Sequence, residues 1–200
     1  MSIETLESTN KRAGLALILE AALFAADRHK TQLRKGEGRV PYINHPLEVA
    51  ATIIRGEPSA DVKVIVAALL HDTVEDTETS KDELREHFGE NVCAIVMEVT
   101  EPPKKTFSRE ERKAHQLAHA PSLSPEARLV KLGDIISNLR SLLRTPPREW
   151  NLEKQQGQFD RAKALVDCIR GASAALEAEF DAVHVLRPIE DLRKPNGSEV

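Results

Sequence analysis

An all-α fold, an orthogonal bundle of helices, is what these 200 residues predict, and three observations predict it. Apolar residues recur at helical spacing through nearly the whole chain, as on the buried faces of packed helices. Helix-start signals stand where several of those runs begin: Ser80 with Glu83, Ser108 with Glu111, and Ser124 followed by Pro125. No alternating strand pattern bounded by hairpin turns appears, and no segment repeats with a fixed period.

Taken in order, Leu15, Ile18, Leu19, Ala22, Leu23 and Ala26 have the spacing of a first helix that ends near His29. The polar stretch KTQLRKGEGR predicts a loop. Pro46 suits the first turn of a second helix carrying Leu47, Val49, Ala50, Ile53 and Ile54, with His45 at its entrance and Gly56 as its C-terminal cap. Asp61 to Leu70 is apolar on nearly every side, the pattern of a central helix covered by its neighbours. After the Ser80 start, Gly89 separates a short helix from one bearing Val92, Ile95, Val96 and Val99. Pro102 and Pro103 make EPPKKTF an exposed loop before the Ser108 helix. The Ser124 helix runs through ARLVKLGDIISNLRSLLR until Pro146 and Pro147 stop it, and two further helices follow over about 148–170 and 172–186.

With 40% hydrophobic and 30% charged residues, the chain suits one globular domain that buries a core without disulfides. The expected organisation is an N-terminal segment over 1–12, one domain over 13–186 and a flexible tail over 187–200. A formal charge of -4 argues against a nucleic-acid partner, yet leaves room for a local basic patch that holds a small phosphorylated ligand. Cys93 and Cys168 both fall in apolar helical patterns and are expected as buried free thiols, which suits a reducing cytoplasm. MSIETLESTNKRAG lacks the apolar core of a secretion signal, and no apolar run approaches the ~20 residues that span a bilayer. A cytoplasmic protein with no membrane partner is expected.

The chemistry gathers where the central helix ends. LLHDTVEDTETS finishes an apolar run with His71, Asp72, Glu75 and Asp76, charges that are costly at a core margin unless something compensates them. Asp134 lies in a different helix among Leu132, Ile135, Ile136 and Leu139, with Asn138 one turn along the same face. With His45, four mixed imidazole and carboxylate ligands come from three separate elements, a set suited to Mn, Fe, Zn or a related divalent ion. Read singly, each has an ordinary explanation. His45 would serve as a helix cap, Asp134 would pair with Lys131 or Arg140, and Glu75 with Asp76 would be a solvated helix end. Spacing alone leaves both readings open.

The segments FAADRHKTQLRKGEGRVPYINHPLEVA, AALLHDTVEDTETS, FGENVCAIVMEVT and RLVKLGDIISNLR, in this order, resemble the hydrolase domain of RelA/SpoT-type alarmone enzymes. The closest likeness is to stand-alone small alarmone hydrolases of the metazoan SpoT-homologue kind, and it covers roughly Leu15 to Leu186. The resemblance implies an HD-type metal phosphohydrolase, usually Mn-dependent, that removes pyrophosphate from the 3′ position of ppGpp or pppGpp. It implies His45, His71, Asp72 and Asp134 as metal ligands, and Glu75 and Asp76 as the acidic pair beside the hydrolytic water. Asn138 matches a pocket residue, and Arg34 and Lys35 match a pair that meets the nucleobase and phosphate. His29 matches a histidine common beside that loop.

The chain departs from the family at GDIISNL, where ADKxxNL is common, so Gly133 and Ile135 replace a small apolar and a cationic side chain. Gln158 stands where a Tyr commonly contacts substrate, and Lys154 where Arg is common. These departures concern the substrate, and leave ppApp hydrolysis, removal of the 2′-phosphate of NADPH, or a non-catalytic nucleotide sensor as alternatives. Pairing with a separate alarmone synthetase is a further implication of the resemblance.

Overall fold

The computed structural model describes residues 3–36, 38–103 and 105–192, with side chains from Asn10 onward. Among the described residues the secondary structure is helical, with a single isolated antiparallel bridge between Leu33 and Pro41. The order is α1 (Ile3–Arg28), α2 (Asn44–Gly56), α3 (Val62–Leu70), α4 (Thr73–Asp76), α5 (Lys81–Val99), α6 (Arg109–His119), a 3-10 turn (Ala120–Ser122), α7 (Pro125–Arg144), α8 (Leu152–Ile169) and α9 (Ala174–His184).

α3 is the axis of the bundle. Every residue from Val64 to Leu70 is buried, because α1, α2, α5 and α7 pack around it. Its N-terminus is capped by the Asp61 side chain, which accepts from the Lys63 amide at 2.9 Å. Ser108 and Glu111 form a complete reciprocal capping box on α6, and Ser124 caps α7 with Pro125 in the first turn. Gly89, at φ 82°, bends α5 into two helical stretches, which is the separation the sequence predicts.

Two glycines work by allowing close approach. Gly56 ends α2, but a Cβ there would lie 2.4 Å from Cδ2 of the fully buried Leu176, so its small size, not a left-handed cap, lets α9 close on α2. A Cβ on Gly133 would meet Ile53 Cγ1 at 2.9 Å, so the departure at that position brings α7 close against α2. That contact matters for the site, because α2 and α7 each carry part of it.

Residues 3–12 lie within α1. At the other end, the Arg187 guanidinium pairs with Asp160, Gln156 donates to Pro188 O at 2.8 Å, and the Leu192 amide donates to Gln155 Oε1 at 3.3 Å. Residues 187–192 of the expected tail are therefore docked on α8, and 193–200 lie outside the described residues. Both cysteines are free, but only Cys93 is buried; Cys168 is half-exposed on α8. No helix of the described residues is long and apolar enough to cross a membrane.

Candidate active site

The end of α3 delivers His71 and Asp72, and the single turn of α4 delivers Glu75 and Asp76. His71 is buried, and its Nδ1–H donates to Ala68 O at 2.8 Å, which directs the bare Nε2 outward from the helix end. His45, the second residue of α2, is equally buried, with Nδ1 3.1 Å from Ser137 Oγ. Because the Ser137 hydroxyl donates to Glu48 Oε2 at 3.1 Å, it accepts from His45 Nδ1–H, and His45 too presents a bare Nε2.

Those two nitrogens face two carboxylates. His45 Nε2 lies 3.2 Å from Asp134 Oδ1 and 3.6 Å from Asp72 Oδ2; His71 Nε2 lies 3.1 Å from Asp72 Oδ2 and 3.8 Å from Asp134 Oδ1. Ligand atoms of His45, His71 and Asp134 all fall within 4.8 Å of one another, and Asp72 sits beside them. His71 Nε2 is buried without a hydrogen-bond partner, and bare lone pairs facing carboxylates repel unless a cation stands between them. The donor set fits a divalent metal: two neutral imidazoles with their outer nitrogens oriented, and two acids.

The ionisation of the cluster tells the same story. Burial holds His45 below its ordinary value. Burial works against the charged His71 as well, but Asp72 and Asp134 outweigh it and push His71 up to about 10. Despite their own burial, Asp72 is held down by His71, and Asp134 by His45 and His71. Without a metal, then, a proton on His71 takes the place of the cation. The folded value of His71 lies above its ordinary 6.5, so its stabilisation is complete below about pH 6.5 and is lost as pH rises through about 10. EDTA-treated protein should lose on the order of 5 °C in melting temperature between pH 7 and 10, whereas metal-loaded protein should stay flat. A flat profile after chelation would show that His71 holds no such proton.

Around the cluster the structure adds groups that spacing did not single out. Tyr42 OH donates to Asp72 Oδ2 at 2.6 Å and lies 3.3 Å from Asp76 Oδ2, so one hydroxyl ties the two acids together. Its ring stacks on the buried His29 at 4.8 Å, which places His29 behind the site rather than on the surface. Glu75 Oε2 accepts from the Glu101 amide at 3.4 Å, and its other oxygen lies 3.9 Å from Arg112 Nη1. Tyr42 lies within the PYINHP stretch, but nothing in its local sequence shows that it reaches α4. Arg112 arrives from α6, a helix whose register against α4 no local pattern reveals.

Asp134 is joined to Arg34, in the segment that follows α1, by a short relay. Asn138 Nδ2 donates to Asp134 Oδ1 at 2.5 Å, and Arg34 Nη2 donates to Asn138 Oδ1 at 2.9 Å. The loop is pinched by the Arg34 amide to Val40 O at 2.9 Å and turns at Gly36, φ 124°, where a Cβ would meet Thr145 O at 2.6 Å. Lys131, buried, approaches Asp134 Oδ2 at 3.7 Å, while Arg140 pairs with Glu179 instead. Every site residue expected from the sequence, Lys35 included, lines one open cleft of about 750 Å³, a volume suited to a nucleotide-sized ligand.

Residues 21–158 match the HD-domain family. The chain is 48% identical over 166 residues to the guanosine-3′,5′-bis(diphosphate) 3′-pyrophosphohydrolase MESH1 of Xenopus tropicalis, covering 83% of this chain and 92% of that protein. The chain belongs to the MESH1 family of HD-domain proteins. Human MESH1 is 46% identical over 162 residues, covering 81% of this chain and 89% of that one. A solved structure described as a metazoan ortholog of SpoT that hydrolyses ppGpp superimposes with a TM-score of 0.82 at 38% identity, covering 86% of this chain and 96% of that one. The HD-domain match runs from within α1 to within α8, and the MESH1 likeness covers more than four fifths of the chain, so neither is confined to the His71-Asp72 pair.

Against that family background, the departures have definite places. Ile135, at the position where the resemblance implies a cationic side chain, is buried at the cleft wall, and Lys154 stands over the Trp150 ring at 5.1 Å. Gln158 does not reach across the cleft but accepts from the Arg161 guanidinium on its own helix.

Proposed function

We propose that this chain is a divalent-metal-dependent pyrophosphohydrolase that converts ppGpp or pppGpp to GDP or GTP and pyrophosphate. The observation that carries the reading is the gathering of His45, His71 and Asp134 within 4.8 Å of one another in a nucleotide-sized cleft, with Asp72 Oδ2 3.1 Å from His71 Nε2 and Glu75 and Asp76 one turn further along. The pyrophosphohydrolase activity for which the MESH1 relatives are named supports the same substrate class.

In this reading the four residues hold Mn²⁺ or a related divalent ion, which supplies Lewis acidity toward a phosphoryl oxygen and lowers the pKa of water. Glu75 accepts the proton of the attacking water at a carboxylate oxygen. Asp76, held by Tyr42, orients that water from the other side. Water adds to the phosphorus bonded to the ribose 3′-oxygen; the bond to that oxygen breaks, and the 3′-oxygen leaves with a proton. Arg34 is placed to cover the base with its guanidinium face, since Asn138 fixes its edge. Lys35 meets phosphate as a point charge. The free thiols suit work in the cytoplasm, and a separate alarmone synthetase would supply the substrate.

Ile135 and Gln158, the changes at the cleft wall, favour testing ppApp and NADPH beside ppGpp. Mn-loaded protein should release pyrophosphate and GDP from ppGpp, and the chelated protein should not. Pyrophosphate with ADP from ppApp alone would move the base assignment. Phosphate with NADH from NADPH alone would replace the reaction by a 2′-phosphatase. No product from any of them would favour a sensor.

A further inference from the structure

The two imidazoles of the site are held from behind in different ways. His71 Nδ1 donates to Ala68 O, a backbone carbonyl that can only accept, so its own helix keeps the ring proton on Nδ1. His45 stands in the first turn of α2, and its Nδ1 meets a side chain instead, the fully buried Ser137 hydroxyl of α7 at 3.1 Å. A hydroxyl donates as readily as it accepts, so Ser137 by itself does not decide which nitrogen of His45 carries the proton. Were Ser137 to donate to Nδ1, the ring proton would sit on Nε2 and point at Asp134 Oδ1, 3.2 Å away, where a metal ligand needs a lone pair.

Glu48 removes the ambiguity. Its Oε2 accepts from Ser137 Oγ at 3.1 Å, and an ionised carboxylate can only accept, so the hydroxyl hydrogen goes to Glu48 and the oxygen is left to receive His45 Nδ1–H. Arg144, on α7 like Ser137, holds the far end, where its Nη2 donates to the two Glu48 oxygens at 2.8 and 3.0 Å. The path from Arg144 through Glu48 and Ser137 to His45 thus passes back and forth between α7 and α2. It needs those helices close together. Gly133, one turn before Ser137, allows this, since a Cβ there would lie 2.9 Å from Ile53 Cγ1 and 3.2 Å from Val49 Cγ1 on α2. The Gly133 departure therefore has a consequence at the site.

We propose that Glu48 is a positioning residue for the metal centre, which acts through Ser137 to keep the proton of His45 on Nδ1 and present the Nε2 lone pair to the divalent ion. The inference rests on the metal reading of His45, His71, Asp72 and Asp134. Glu48 is not among the residues that line the cleft, so its effect falls on metal affinity and not on direct contact with substrate.

The experiment strips the protein with a chelator and measures Mn²⁺ affinity by competition with a fluorescent chelator, on wild type, Glu48→Gln, Arg144→Gln, Ser137→Ala and the double variant of Ser137→Ala with Glu48→Gln. Circular dichroism checks that each is folded. Glu48→Gln keeps the size of the side chain and an acceptor for Arg144, but its amide N–H donates to Ser137 and turns the hydroxyl toward His45. Mn²⁺ affinity should fall about ten- to hundredfold, the usual effect of losing a group behind a metal-bound histidine. Arg144→Gln breaks the ion pair and spares the bond from Ser137 to Glu48, so its affinity should stay close to wild type. With alanine at 137 no hydroxyl remains to be oriented, and Glu48→Gln should then add nothing. Glu48→Ala, which leaves the hydroxyl undecided, should lose less than Glu48→Gln and more than Arg144→Gln, and it judges the proposal if the glutamine protein fails to fold. Wild-type affinity in the Glu48 variants overturns the proposal. An equal loss in Arg144→Gln, or full additivity of Glu48→Gln on Ser137→Ala, also overturns it and makes Glu48 a tie between helices. Wild type that takes up no Mn²⁺ overturns the metal reading itself, and this inference falls with it.

Discussion

Asp134→Asn should reduce alarmone hydrolysis by roughly a thousandfold or more, because a bound metal supplies several kcal/mol of charge stabilisation, and should strip the divalent ion from the purified protein. The substitution keeps the shape of the side chain, and Asn138 still finds an acceptor, so the α7 backbone has no reason to move. What goes is the negative charge that faces His45 Nε2 at 3.2 Å, His71 Nε2 at 3.8 Å and the Lys131 ammonium at 3.7 Å. The remaining donors, two imidazoles and Asp72, make a three-ligand site of lower charge whose affinity for a hard divalent ion drops. Metal stoichiometry by plasma emission, measured beside turnover, checks it. Full metal occupancy with lost turnover would place Asp134 outside the ligand set.

Glu75→Gln should separate the proton from the metal. Removing a general base costs typically ~10²- to 10⁴-fold in rate, and here the loss should fall on kcat, with metal content unchanged and KM close to wild type. The geometry supports such a clean separation. Glu75 lies on α4, one turn beyond Asp72, where its Oε2 accepts from the Glu101 amide and Arg112 stands 3.9 Å from its other oxygen. Glutamine retains an acceptor for that amide, so position is kept and basicity is removed. Turnover within tenfold of wild type would hand the proton to Asp76. Loss of metal would recast Glu75 as a group that shapes the site.

Both predictions concern residues visible in the sequence, and the reason is the energetic cost of their surroundings. Asp134 among leucines and isoleucines, and four ionisable groups at the end of an otherwise apolar α3, stand out because charge at a core margin demands compensation. Helix starts were legible for a different reason. Ser108 with Glu111 and Ser124 with Pro125 act on amides within one turn, so the interaction and the pattern occupy the same few residues. Gly56 shows the limit of that local logic. A glycine at the end of a helix suggests a left-handed cap, but the constraint it meets is Leu176, 120 positions away in the chain and in direct contact in space.

The sequence by itself determined the helical class and the order of the main helices, since periodicity and caps are local properties of the chain; misplaced charges singled out two imidazoles and two carboxylates, but only the resemblance to a family gave them a role as metal ligands. Only the tertiary structure decided which of the ordinary explanations for each residue holds. It put His45 Nδ1 on Ser137 and His71 Nδ1 on Ala68, leaving both Nε2 atoms bare. It sent Arg140 to Glu179 instead of Asp134, and brought Tyr42 to two acids at once. It also turned Gln158 toward Arg161 on its own helix instead of across the cleft. The physical reason is common to all of these. A hydrogen bond or ion pair acts over about 3 to 4 Å, and which groups come that close depends on how the helices cross, which the spacing of residues along any one helix does not contain.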